Sequence, residues 1–196
     1  MTHLLGLTGS IGMGKSTTAS MFRDEGVPVW DADATVHHLY QKGGDTVAAI
    51  GHAFPGAIVE GGISRDGLKK VIATDPDALS KIENIVHPLV AVNRLRFIEA
   101  HDDPLIVFDI PLLYETGADK WLNTVLVVSA PPDTQQQRVM ARPGMTDDQM
   151  QMILSRQITD AEKRMRADHV IETLTLDGTR TAVQKLIAKI KGQIDA

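Results

Sequence analysis

The residues best placed to do chemistry stand close to the start of the sequence. Gly9-Ser10-Ile11-Gly12-Met13-Gly14-Lys15-Ser16 fits G-x-x-x-x-G-K-[ST] at every fixed position. Glycines let the backbone turn tightly with no Cβ in the way. The amide N–H groups then face inward and make a nest for anions, and the following helix aims the positive end of its dipole at the same place. Lys15 adds a full charge at the β- and γ-phosphates of a nucleotide, and Ser16 offers a hydroxyl to Mg²⁺. A chance glycine-rich turn would need none of this context. Here an apolar run, Leu4 to Thr8, reads as a buried strand before the loop, and a helical pattern runs from Ser16 to Glu25 after it. The dinucleotide pattern G-x-G-x-x-G fits the glycine spacing less well and leaves Lys15-Ser16 without a purpose.

A second group is Asp31-Ala32-Asp33, at the end of the strand expected over Val27 to Trp30. Open α/β sheets bind ligands at the carboxyl ends of their strands. A carboxylate there accepts the proton of an attacking hydroxyl, or caps the next helix. With two carboxylates both roles can be filled, and Asp33 is the expected base.

These residues need a frame. Short apolar runs recur at Leu105 to Asp109, Thr124 to Ser129 and His169 to Ile171, alternating with helical patterns at Asp133 to Arg142, Thr146 to Gln157 and Thr179 to Ile194. Alternation of this kind predicts an α/β fold: a parallel sheet covered by helices on both faces. Thr146 with Gln149 three residues on forms an expected capping box. A longer helix, about Asp77 to Ala100, carries Pro88 inside it as a kink or break. The organisation predicted is a single domain with a core of about residues 1–33, 104–142 and 158–196, a helical substrate-binding insertion over about 34–103, and a lid over about 143–157.

Composition narrows the function further. The 196 residues suffice for one domain with a real core, and 43% of them are apolar. A net charge of −5 disfavours bulk nucleic-acid binding. Having no cysteine, the chain is without disulfides, thiolate metal sites or a cysteine nucleophile, which fits a reducing cytoplasm. No secretory leader pattern opens the sequence, and Pro104 to Leu113, its most apolar stretch, is too short to span a bilayer. The guanine-reading Asn-Lys-x-Asp and the transporter motif Leu-Ser-Gly-Gly-Gln are both missing. What remains is a small-molecule or nucleotide kinase that uses ATP, or a nucleotide-gated binding protein with little catalysis.

Four segments in order, Leu7 to Thr17, Asp31-Ala32-Asp33, His87-Pro88-Leu89 and Asp109-Ile110-Pro111-Leu112-Leu113-Tyr114-Glu115, give the sequence a clear resemblance to the dephospho-CoA kinases. The resemblance runs from residue 4 to about 172. It implies ATP-dependent phosphorylation of the ribose 3′-hydroxyl of dephospho-CoA, with these two small molecules as partners and Mg²⁺ as cofactor. It further implies that Gly12, Met13, Gly14, Lys15, Ser16 and Thr17 hold the ATP phosphates and that Asp33 is the base. Thr8 is expected to line the reaction centre. Arg138 matches the arginine on the helix leading into the lid, and Arg142 follows four residues later on the same helical face; either clamps phosphate charge or makes a solvated salt bridge. Asp109, at a strand end, is expected to hold Mg²⁺ through water, with a cap or a loop hydrogen bond as the alternative. Pro111 and Leu112 belong to the expected acceptor-side wall, and His87 to the acceptor region or to the framework. One position departs from the family pattern. Thr173 stands where an asparagine near the adenine is usual, and a threonine cannot supply a carboxamide's paired donor and acceptor.

Overall fold

The structure is a computed structural model, described here for residues 2–194. In chain order its elements are β1 (His3–Thr8), α1 (Lys15–Asp24), β2 (Val29–Asp31), α2 (Ala32–Tyr40), α3 (Val47–Ala53), β3 (Ile58–Val59), β4 (Gly62–Ile63), α4 (Arg65–Thr74), α5 (Ala78–Glu99), β5 (Leu105–Asp109), β6 (Thr124–Ser129), α6 (Pro132–Met140), α7 (Asp147–Leu154), α8 (Asp160–Arg166), β7 (His169–Glu172) and α9 (Leu176–Ile194). The chain divides into two units. One comprises the residues through Trp30 with those from His101 onward; the other is Asp31–Ala100.

The first unit is built on a five-stranded sheet in the order β2-β5-β1-β6-β7. β1 runs parallel to both β5 and β6, and β6 parallel to β7. Buried strands with no polar face match this arrangement: all five residues of β5 are buried, as are the last five of β6. Side chains alternate between the two faces. Leu105 and Val107 of β5 join Leu5, Leu7, Leu126 and Val128 in a core shared with Phe22 of α1 and Val183, Leu186 and Ile190 of α9. Phe108 points to the opposite face, where Trp30 packs at 5.9 Å and Trp121 meets it edge-on at 5.0 Å between ring centroids. The expected α/β fold with a parallel sheet flanked by helices is the one observed.

The second unit has its own core of Ile50, Phe54, Ala57, Ile63, Leu68, Ala78, Ile82 and Val86. Its helices are joined by a two-residue antiparallel hairpin, β3 with β4. Glu60 at its tip has a φ of 50°, and Gly61 follows. Pro88 does not break α5, which runs unbroken from Ala78 to Glu99 with the proline inside it.

Candidate active site

β1 delivers the chain to the phosphate loop at the carboxyl edge of the sheet. Two of its glycines are left-handed, Gly12 at a φ of 79° and Gly14 at 85°. Space forbids a side chain at either as well: a Cβ would stand 2.6 Å from Val139 Cγ2 at Gly12 and 3.0 Å from Thr173 Oγ1 at Gly14. The loop is therefore pinched between α6 and the residue after β7. Met13 turns into the core, 2% exposed, where its sulfur accepts from the Ala130 N–H. α1 then starts at Lys15 with Gly14 as its cap residue, no side-chain cap and no acid in the first turn. Its first N–H groups are left to an anion.

Lys15 Nζ lies 2.5 Å from Asp109 Oδ1. Strand register explains the meeting, because Asp109 pairs with Leu7 across the β1–β5 ladder, just before the loop begins. Asp109 is only 3% exposed, and the pair fixes the ammonium at the edge where phosphates would sit. Ser16 and Thr17 are exposed in the first turn of α1.

Thr8 is wholly buried, and its hydroxyl donates to the Pro111 carbonyl at 3.0 Å. It holds the segment after β5 in place. Leu112 is exposed, and Tyr114 is buried with its hydroxyl unpartnered. Burial pushes the Tyr114 phenol up to about 12, against the pull of Arg166, whose guanidinium lies 4.2 Å over the ring.

Arg138, near the end of α6, is docked on Thr173. One guanidinium nitrogen donates to Thr173 Oγ1 at 2.9 Å, and another donates to the Thr173 carbonyl. The Thr173 hydroxyl donates in turn to the Met13 carbonyl at 2.9 Å. The residue that departs from the family pattern thus links Arg138 to the back of the phosphate loop, a role invisible without the fold. Arg142 is exposed beyond the end of α6.

Four further side chains make contacts that the sequence does not reveal. Gln135 Nε2 donates to the Ile11 carbonyl at 2.8 Å, and the Ile11 N–H donates to Gln157 Oε1 at 3.4 Å. Glu115 Oε1 accepts from the Ile158 N–H at 3.0 Å and lies 3.0 Å from the fully buried Lys163 Nζ. The only signal for Glu115 was its place in the quoted segment after β5. Lys163 lies in a polar run with no hydrophobic repeat.

In the second unit, Asp31 caps α2, its Oδ1 accepting from the Ala34 N–H at 2.9 Å. Asp33, in the first turn, is exposed. His87 is exposed on α5. A cavity of about 280 Å³ in the same unit is lined by His37, Tyr40, Gln41, Ile63 and Arg65. Burial raises the Tyr40 phenol there, partly offset by the charge of Arg65.

Among the described residues no cluster of three or more His, Cys, Asp or Glu side chains is arranged to hold a metal ion. Mg²⁺ does not need such a cluster, since it keeps several waters and binds through one or two protein groups and substrate phosphates. Ser16 offers a hydroxyl and Asp109 a carboxylate beside the loop.

A model of the dephospho-CoA kinase family matches residues 3–176. A dephospho-CoA kinase of Jannaschia sp. (strain CCS1) is 56% identical over 97% of this chain and 98% of its own length. Among solved structures, a Thermus thermophilus protein superposes with a TM-score of 0.85 at 33% identity, over 96% of this chain and 97% of that one. The dephospho-CoA kinase from Campylobacter jejuni shares the fold, with a TM-score of 0.72 at 24% identity over 98% and 99% of the two chains.

Proposed function

The chain belongs to the dephospho-CoA kinase family, and from that premise we propose which of its residues carry the γ-phosphoryl group of ATP to the 3′-hydroxyl of dephospho-CoA, the last step in making coenzyme A. The observation that carries the assignment is the phosphate loop itself: an uncapped helix start with Lys15 fixed beside it by Asp109. The N–H groups from Gly12 to Thr17 receive the β- and γ-phosphates, and Lys15 balances their charge. Arg138 lies near the end of α6 and Arg142 just beyond it, before residues 143–157, which act as a lid that excludes water. Ser16 would hold Mg²⁺ directly, and Asp109, already paired with Lys15, would reach it through water. When bound, the ion would supply positive charge against the negative charge that builds up on the phosphates during transfer.

Asp33 is the base. The 3′ oxygen bonds to the γ phosphorus while the bond to the β-bridging oxygen breaks; the hydroxyl proton passes to the Asp33 carboxylate, and ADP leaves. Asp31 leaves Asp33 available by satisfying the start of α2 itself. The helical insertion over about residues 34–103 binds the acceptor, and Pro111 and Leu112 belong to the wall on the acceptor side. His87 belongs to the acceptor region. No helix among the described residues is long and apolar enough to cross a membrane, and the expected setting is the cytoplasm with no nucleic-acid partner. Incubation with Mg-ATP and dephospho-CoA tests the reading: coenzyme A detected by mass is the expected product. ATP binding with no transfer to this acceptor would overturn it in favour of another kinase or a nucleotide-gated binder.

A further inference from the structure

The backbone of Ile11, at the tip of the phosphate loop, is held through the two peptide groups that flank its Cα. Its carbonyl accepts from Gln135 Nε2 at 2.8 Å, and its N–H donates to Gln157 Oε1 at 3.4 Å. The two glutamines come from opposite ends of one segment. Gln135 is on α6, which runs into residues 143–157, and Gln157 is the last residue of that segment. Each is itself held in place. Gln135 is 8% exposed. Gln157 precedes Ile158, whose N–H is fixed by Glu115 Oε1, and Glu115 is locked by the fully buried Lys163. A buried lysine without its carboxylate would be costly, so this anchor does not come apart cheaply.

The position of the grip matters. With the Ile11 N–H and carbonyl both engaged, and the Met13 N–H donating to the Ser10 carbonyl at 3.1 Å, the amides left to receive phosphate are that of Gly12, a residue with a left-handed φ of 79°, and those from Gly14 onward. The Ile11 carbonyl and the Gly12 N–H share one planar peptide group, so the Gln135 contact on that carbonyl sets the direction in which the nest opens.

We propose that Gln135 and Gln157 are positioning residues of the phosphoryl transfer, tying the phosphate loop to both ends of the 143–157 segment so that the two move as one. The proposal rests on the assignment of the loop and lid above. A γ-phosphate held in a loosened nest is misplaced relative to the acceptor, and misplacement by about 1 Å costs on the order of a hundredfold in rate. ADP makes no use of the γ site and is affected less.

Methionine has the length of glutamine without its amide, so Gln157→Met and Gln135→Met remove each arm with little change in volume. Each is expected to lower kcat at saturating ATP by about ten- to a hundredfold, with ADP affinity and thermal stability nearly unchanged. Because both act on the backbone of one residue, the double variant should lose little more than the worse single one. Amide exchange at residues 11–15 should quicken in each variant, a readout that needs no turnover and stands even if dephospho-CoA is not the acceptor. Wild-type kcat and unchanged exchange in Gln157→Met would overturn the proposal, as would losses that multiply in the double variant. Should Gln135→Met fail to fold, Gln157→Met, at the half-buried position, decides the matter alone.

Discussion

Two helices of this molecule follow parallel-sheet strands and start in opposite ways. α1 opens with a left-handed glycine, no side-chain cap and no acid in its first turn. α2 opens with a carboxylate already seated on its N–H groups, Asp31, and a second one, Asp33, in its first turn. Both starts present the same positive dipole. The first leaves it open to an incoming phosphate, and the second fills it and carries negative charge outward. The strand–helix unit therefore specifies neither role. A few residues at the junction decide whether it receives an anion or supplies a base.

The largest expected effect comes from removing the cation at the α1 end. Lys15→Ala should nearly abolish turnover, measured at saturating ATP. It should also destabilise the fold, because it leaves the buried Asp109 without that ion-pair partner. Adding Asp109→Asn should recover stability in thermal melts without recovering activity. Recovery of both would mean that Lys15 is structural and that the contrast between the two helix starts is mistaken.

Next comes the base at the α2 end. Asp33→Asn keeps the shape and removes the basic oxygen. Single-turnover rates should fall by about 10²–10⁴ while ATP affinity, measured by calorimetry, holds. A near-normal rate, or failure through lost ATP binding, would take the base role away from Asp33.

A sharper version gives α1 what α2 has. Ser16→Asp places an acid in the first turn of α1, which should raise helix stability by about 0.3–1 kcal/mol yet weaken ATP binding by repelling its phosphates. Equal ATP affinity in titrations would show that this helix start does not face the nucleotide. The smallest effect belongs to the cap. Asp31→Ala should cost about 1 kcal/mol in denaturant unfolding, with a far weaker effect on single-turnover rate than Asp33→Asn.

Much of the contrast was legible in the sequence, because it is local. The loop pattern, its strand and helix, and the presence of two carboxylates after β2 all lie within a few residues of one another. Which aspartate caps was left open, since either could reach a first-turn N–H; the coordinates give that task to Asp31. Contacts across long separations were not legible. Arg138 meets Thr173 and Glu115 meets Lys163 only because β6 and β7 pair in a particular register and α8 turns Lys163 inward. α8 itself escaped notice because Asp160–Arg166 is short and polar and shows no apolar repeat. The sequence marks Thr173 only as lacking a carboxamide, while the fold bonds its hydroxyl to Arg138 and to the Met13 carbonyl.

The place of β1 in the sheet has a consequence for the order in which the chain can be completed. β1 is central, yet its neighbours are β5 and β6, with His3 opposite Leu105 and Thr8 opposite Val127. During synthesis from the amino end, the phosphate-loop sequence must wait for about a hundred further residues before either edge of its strand finds a partner. Residues 31–100, whose core draws only on their own side chains, are finished within that interval. The phosphate loop is therefore locked later than the residues 31–100 that follow it, and the closing of that long loop is the kind of non-local pairing that sets a slow folding rate.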